Sequence, residues 1–296
     1  MIDFVDIAVV CVPYSNDVAR WGSAKGPAAV LEAGLIPTLE EQGHTVEEPV
    51  WIELPREERT RDIVTNLGRI AARTSEAVST ALQNGQTVLV LEGDCTHAVG
   101  ATGGLARIAD SVGVVWFDAH GDMNTTRTTD TGLWGGMPYA VMLGWDLEDW
   151  RAAAGLREPV RAEAAALIGA SDLDQAEVEA LDRHPIARLD AADMMEPEAG
   201  IRLATVLQPR AGEAESWYLH IDLDVAGPEA SPGGLTPAPH WPPRAHLLEA
   251  VAATTQAVPV RVIALAAYNP NGDPERRGTQ FAIDMAVAAL GEMAPS

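Results

Sequence analysis

Two apolar runs in this chain end in acids at alternate positions. The first reads Val114-Val115-Trp116-Phe117-Asp118-Ala119-His120-Gly121-Asp122, and the second, well downstream, reads Trp217-Tyr218-Leu219-His220-Ile221-Asp222-Leu223-Asp224. Strand side chains alternate, so an extended backbone places Asp118, His120 and Asp122 on one side, and likewise Asp222 and Asp224. Four carboxylates and an imidazole at the ends of buried strands repel one another unless a cation sits between them. Hard divalent ions meet that demand, and oxygen and nitrogen donors suit Mn²⁺ or a near neighbour.

Around these runs, short β-type segments alternate with helical ones. Val5–Val12, Thr87–Leu91, Val112–Phe117, Ala164–Ile168, Ile186–Leu189, Trp217–Ile221 and Val260–Leu265 read as strands. Helical stretches are expected from Gly26-Pro27 through Glu40, and over Asn66–Gln83, His97–Ala109, Pro138–Leu143, Asp174–Leu181, Ile201–Leu207, Pro243–Thr254 and Thr279–Leu290. Such alternation predicts a mainly parallel sheet with helices on both faces. Ligands of these sheets bind beyond the carboxyl ends of the strands, which is where the acids fall. Val225–Pro243 holds six prolines without periodicity and reads as a long loop bordering the pocket. Neither a low-complexity linker nor an internal repeat divides the 296 residues, so one domain over 1–296 is expected.

The formal charge of −23 argues against nucleic acid and anionic membrane as partners, since both need a basic footprint. A single lysine, Lys25, leaves Schiff-base and P-loop chemistry almost without a candidate. Cys11 and Cys95 make no disulfide framework, and Cys11 sits in an apolar run that reads as core. The opening Met1-Ile2-Asp3-Phe4 has no basic n-region and only a short apolar run after it. Neither a signal peptide nor a membrane span is read, and a cytoplasmic location is expected.

Three segments in order, Glu92-Gly93-Asp94-Cys95-Thr96, Asp118-Ala119-His120-Gly121-Asp122 and Asp222-Leu223-Asp224, resemble the signatures of the ureohydrolase superfamily of arginase, agmatinase and formimidoylglutamase. Gly26-Pro27 with Ala33-Gly34-Leu35 is similar to the opening helix of that family, so the likeness spans nearly the whole chain. The resemblance implies a three-layer α/β/α sandwich around a mainly parallel eight-stranded sheet. It also implies two divalent metal ions, Mn²⁺ by family habit, sharing a hydroxide that attacks a guanidinium or amidine carbon. By the same resemblance Asp118, His120, Asp122, Asp222 and Asp224 are metal ligands, Asp122 also carries a proton to the leaving amine, and catalysis rests on Asp122 and His120. Asn124, Thr129 and Thr131 fall where arginases hold the substrate carboxylate, and Asp174 and Glu177 fall near its amino group. The residues alone read Thr129 and Thr131 as a polar turn and Asp174 as a helix N-terminal residue. A small amino-acid-like substrate follows. Trimers and hexamers are common in the family, and the sequence leaves open monomer or homo-oligomer.

Three departures stand out. Cys95 occupies the place of a histidine ligand, as in a bacterial branch that includes N-omega-hydroxy-L-arginine amidinohydrolase and shares Asn124-Thr125 and Thr128-Thr129-Asp130-Thr131-Gly132. A thiolate there would take a site of four carboxylates and two divalent ions from neutral to −1. Ala267, in Ala266-Ala267-Tyr268-Asn269-Pro270, stands where arginases place a glutamate against the guanidinium, with Glu275 a few residues on as a substitute. Gly135 stands where arginases carry a proton-shuttle histidine. His97 is the alternative ligand to Cys95, although a helix would turn it about 200° away. His220 is read as out of phase with Asp222 and directed into packing. His240 reads as a surface residue, and Gly100–Gly104 as a helix-packing surface.

The leading expectation is a metal-dependent hydrolase of linear C–N bonds acting on an arginine-like or modified-guanidino amino acid. Two alternatives remain at this level. One is a catalytically retired relative that binds an amino acid or a partner, and the other is a thiol hydrolase with Cys95 as nucleophile and His97 or His120 as base.

Overall fold

The computed structural model describes residues 5–233 and 238–291. The Met1–Phe4 opening and positions 234–237 of the proline-rich loop lie outside the described residues. Nine strands form the main sheet: β1 (Asp6–Val12), β2 (Thr45–Val46), β3 (Val50–Trp51), β4 (Thr87–Glu92), β5 (Val112–Phe117), β6 (Ala165–Ile168), β7 (Ala187–Leu189), β8 (Ser216–Asp222) and β9 (Val260–Ala266). They run β2-β1-β4-β9-β8-β5-β6-β7, every pairing parallel, and β3 also pairs with β1. Nine strands therefore occupy eight positions, because β2 and β3 meet successive stretches of one edge.

Alternation along the strands builds two cores. Ile7, Val9 and Cys11 of β1, Val115 and Phe117 of β5, and Leu219 and Ile221 of β8 face one side. Helices Gly26–Glu32, Ala199–Leu207, Arg244–Ala257 and Arg277–Leu290 cover it. Ala8, Val10, Val88, Val90, Val114, Trp116 and Tyr218 face the other side, under helices Ile63–Gln83 and Ala98–Leu105. Every strand of the centre is thus buried on both faces, the reason the runs read as continuously apolar. The two helices of the second face touch closely. A Cβ on Gly100 would stand 2.8 Å from Thr74 and one on Gly104 2.6 Å from Val78, so the glycine cluster is the expected packing surface.

Most sequence-derived elements appear within a few residues of their expected bounds. The first helix does not run unbroken to Glu40: Gly34 adopts φ +101° and splits it into Gly26–Glu32 and Leu35–Glu41. The helix expected over His97–Ala109 is Ala98–Leu105, preceded by a 3₁₀ turn at Cys95–His97. Short helices at Glu148–Ala153 and Ala191–Met195 add to the expected set. Among the described residues no helix is long and apolar enough to cross a membrane.

Candidate metal centre

The carboxyl ends of β4, β9, β8 and β5 lie side by side at the middle of the sheet, and those of β4, β5 and β8 lead into the candidate ligands. The thiol of Cys95, just after β4, is 2.8 Å from Asp222 Oδ2 at the end of β8. Beyond β5, Asp118 Oδ1 stands 3.3 Å from His120 Nδ1, which is 3.1 Å from Asp224 Oδ2. Among the described residues two groups of donor atoms, each mutually within 4.8 Å, result: Asp118, His120 and Asp224, and Cys95, Asp118 and His220. Asp118 belongs to both. Asp122 is buried and feels the charges of Asp118 and Asp222. All six expected ligands therefore share one neighbourhood.

Strand alternation is not what brings them together. β5 stops at Phe117, and the backbone N–H of His120 donates to Asp118 Oδ1 at 2.8 Å. Asp122 then takes φ +50°, with its carbonyl accepting from Tyr139 N at 3.0 Å. After β8 the chain enters a 3₁₀ turn at Leu223–Val225, and Asp224 N donates to Asp222 Oδ1 at 2.7 Å. In both places side chain-to-backbone turns fold the acids over the strand ends.

The electrostatics fit a bound cation. Burial, then the charge of Asp224, pushes Asp118 up to about 6. Burial and neighbouring carboxylates raise Asp122 and Asp222 well above the usual range. Burial opposes charge on His120, but hydrogen bonds to Asp118 and Asp224 outweigh it and raise the ring to about 12. The buried Nε2 atom of that half-buried ring has no hydrogen-bond partner among the described residues. Each shift expresses an excess of negative donors around one point, and divalent ions reverse this logic. Four carboxylates, one imidazole and one thiol match a borderline divalent ion such as Mn²⁺, Fe²⁺ or Co²⁺.

Burial and then Asp222, Asp122 and Asp118 raise the Cys95 thiol well above its ordinary value, the opposite of what a free nucleophile needs. His97 does not serve it. Its Nε2 lies 2.9 Å from the carbonyl oxygen of Tyr14, on the far side of the turn, which also removes His97 as the alternative ligand. The reading of His220 is corrected. Positions 218, 220 and 222 share a strand face, and His220 Nε2 lies 3.4 Å from Cys95 Sγ. Its fully buried ring is held down to about 3 by desolvation, and it stacks on Trp116 at 3.7 Å. Trp116 Nε1 in turn donates to Asp118 Oδ2 at 2.9 Å. The two-residue spacing between His220 and Asp222 is the sequence signal for this placement.

Around the mouth, Asn124 Nδ2 donates to Asp174 Oδ2 at 2.7 Å. Glu177 accepts from Met123 N and from Asp174 N, both at 2.9 Å, so Asp174 caps helix Gln175–Arg183 while binding the loop that follows the acids. Burial raises Glu177 to about 7. Thr129 and Thr131 lie in a turn, accepting from Gly132 N at 3.0 Å and Leu133 N at 3.2 Å. Ala267 follows β9 at φ +65° and carries no polar group. Glu275 does not substitute for it, being exposed and paired with Arg277 at 3.5 Å. A Cβ on Gly135 would meet open space. His240 is exposed, and its carbonyl ties the proline-rich loop to Ser171 Oγ at 2.8 Å. A cavity of about 630 Å³ beside Ser111, Pro159 and Glu213 lies at the opposite, amino-terminal end of the strands and shares none of these residues.

The arginase family model matches residues 5–291. An arginase of Bacillus subtilis (strain 168) is 32% identical over 243 residues, covering 78% of this chain and 79% of its own. An arginase of Brevibacillus brevis is 33% identical over 245 residues, covering 78% and 80%. The solved arginase of Bacillus caldovelox superposes with a TM-score of 0.88 at 25% identity, over 98% of this chain and 99% of that one. With the family matched along almost the whole described chain, and its three signatures gathered at one end of the sheet, this protein belongs to the arginase family of hydrolases.

Proposed function

We propose that the protein hydrolyses a linear C–N bond in an arginine-like or modified-guanidino amino acid, giving a urea-type product and an amine. The observation that carries this reading is the convergence of Cys95, Asp118, His120, Asp122, Asp222 and Asp224 on one buried point. In this reading those six residues hold two divalent ions, Mn²⁺ first among them. Bound there, the ions would supply an acidified water as nucleophile and Lewis-acid polarisation of the reacting carbon. Asp122 collects the proton released as water adds and returns it to the departing nitrogen, and His120 and Asp118 fix the carboxylates around it. Asn124, Thr129 and Thr131 take the substrate's carboxylate, and Asp174 and Glu177 its amino group.

Ala267 sets the reacting end apart from plain arginine. Its methyl group offers no charge-assisted hydrogen bond to a guanidinium, an interaction worth about 1.5–3 kcal/mol. A guanidino group that carries its own polar substituent loses less by this than arginine does. The test is release of urea, hydroxyurea or ammonia from a guanidino panel with Mn²⁺, Fe²⁺ or Co²⁺ loaded without oxygen, alongside metal content per chain. Two ions in the parent, fewer in Cys95→Ala, and turnover of a modified guanidine above arginine are expected. Ala267→Glu should raise arginine turnover by roughly 10- to 100-fold. No product from any member of the panel would reject the reading.

A further inference from the structure

A cysteine in place of a histidine ligand adds a negative charge to a site already dense in carboxylates, and His220 is built to meet it. The ring is clamped by its stack on Trp116, with planes 18° apart. Its Nδ1 lies 2.8 Å from Tyr218 Oη and 3.5 Å from Glu92 Oε2. The tyrosine hydroxyl lies 3.4 Å from Glu92 Oε1, so its short bond is the one to His220. The arrangement in which the phenol donates to Nδ1, and not to Glu92, puts the ring proton on Nε2. Nε2 points at Cys95 Sγ, 3.4 Å away, within the range of a hydrogen bond to sulfur. Room for this chain comes from the strand between. Val90 of β4 and His220 of β8 both register with Ala264 of β9, and small side chains at Ala264 and Ala266 let Glu92, Tyr218 and His220 meet across it.

We infer that His220 is the positioning residue of the Cys95 ligand, its Nε2–H donating to the thiolate and fixing the sulfur toward the site. The inference rests on the reading that Cys95 ligates a metal. Such partners of a ligand set its orientation, and their loss costs roughly 10- to 100-fold in metal affinity.

The experiment is anaerobic Co²⁺ titration, followed by the near-ultraviolet sulfur-to-cobalt charge-transfer band and by competition with a chelator. In His220→Phe, which keeps the stack on Trp116 and removes both nitrogens, one of two ions should weaken by roughly 10- to 100-fold and the band should shift and lose intensity. His220→Gln, whose amide N–H reaches the same space, should restore most of both. An unchanged band and unchanged affinities in His220→Phe overturn the inference alone. A parent protein with no such band overturns the thiolate reading and the inference together. If His220→Phe lacks folded circular dichroism, Tyr218→Phe decides, since it removes the donor that fixes the tautomer: a shifted band supports the inference and an unmoved band rejects it.

Discussion

At the scale of single residues, the centre shows a trade between positions 95 and 220. Cys95 is small, and the imidazole of His220 fills the space a longer side chain at 95 would need, its Nε2 standing 3.4 Å from the sulfur. Reinstating the family's usual ligand by Cys95→His should therefore overpack a core with Trp116 and Tyr218 fully buried around it. We expect a loss of about 1–3 kcal/mol and no gain in metal affinity. Cys95→His with His220→Ala should recover much of that stability, a coupling that thermal melts of the four proteins would measure. Additive effects of the two changes would disprove the trade. Residue identity made much of this legible in advance: acids at strand ends, a cysteine just after β4 and an alanine at 267 needed no coordinates. His220 is in phase with Asp222, but a histidine inside an apolar strand carries no signal that separates packing from a role at the site. Glu275 looked available because sequence distance says nothing about which way a turn opens.

At the scale of elements, the turn after β4 depends on a hairpin far from it in sequence. Gly93 lies against strand pair Tyr14–Ser15 and Val18–Ala19, and a Cβ there would stand 1.9 Å from the carbonyl oxygen of Tyr14. The Asp94 carboxylate accepts from Asn16 N and from Ser15 Oγ, and it caps the Cys95–His97 turn through Thr96 N at 3.1 Å. Hairpin and thiol turn are thus one unit. Gly93→Ala must displace backbone and not merely a side chain, so urea unfolding should show a loss of about 1–3 kcal/mol or more. If two ions bind as proposed, the one on the Cys95 side should weaken while the Asp118, His120 and Asp224 side keeps its own. Two ions at parental affinity would show that the turn does not depend on the hairpin. Strands and amphipathic helices were readable because burial on both faces leaves an unbroken apolar run and burial on one face leaves a 3.6-residue period. The break at Gly34 and the two-residue edge strands were not, since a single positive φ and a pair of hydrogen bonds leave almost no periodic trace.

At the scale of the whole molecule, a parallel sheet collects the ends of β4, β5, β8 and β9 at one pole, and the chain spends stability to crowd acids there. Glu177 is raised from 4.5 to about 7 and His120 from 6.5 to about 12, so in the folded protein both hold protons that the unfolded chain releases. Stability from such groups is complete below their unfolded values and is lost as pH rises through the folded ones. His97 and His220 are lowered and act in the opposite sense, but their contribution is already complete above about 6.5. From about pH 6.5 upward the metal-free protein should therefore lose stability steadily, helped by self-repulsion at a formal charge of −23. Metal binding needs His120 and the neighbouring carboxylates deprotonated, so the stabilisation from added Mn²⁺ should grow over that range. Calorimetric melting of chelated and Mn²⁺-saturated protein across this interval should give two curves that diverge as pH rises. Parallel curves would mean that the acids at this pole are not the groups that hold the ions.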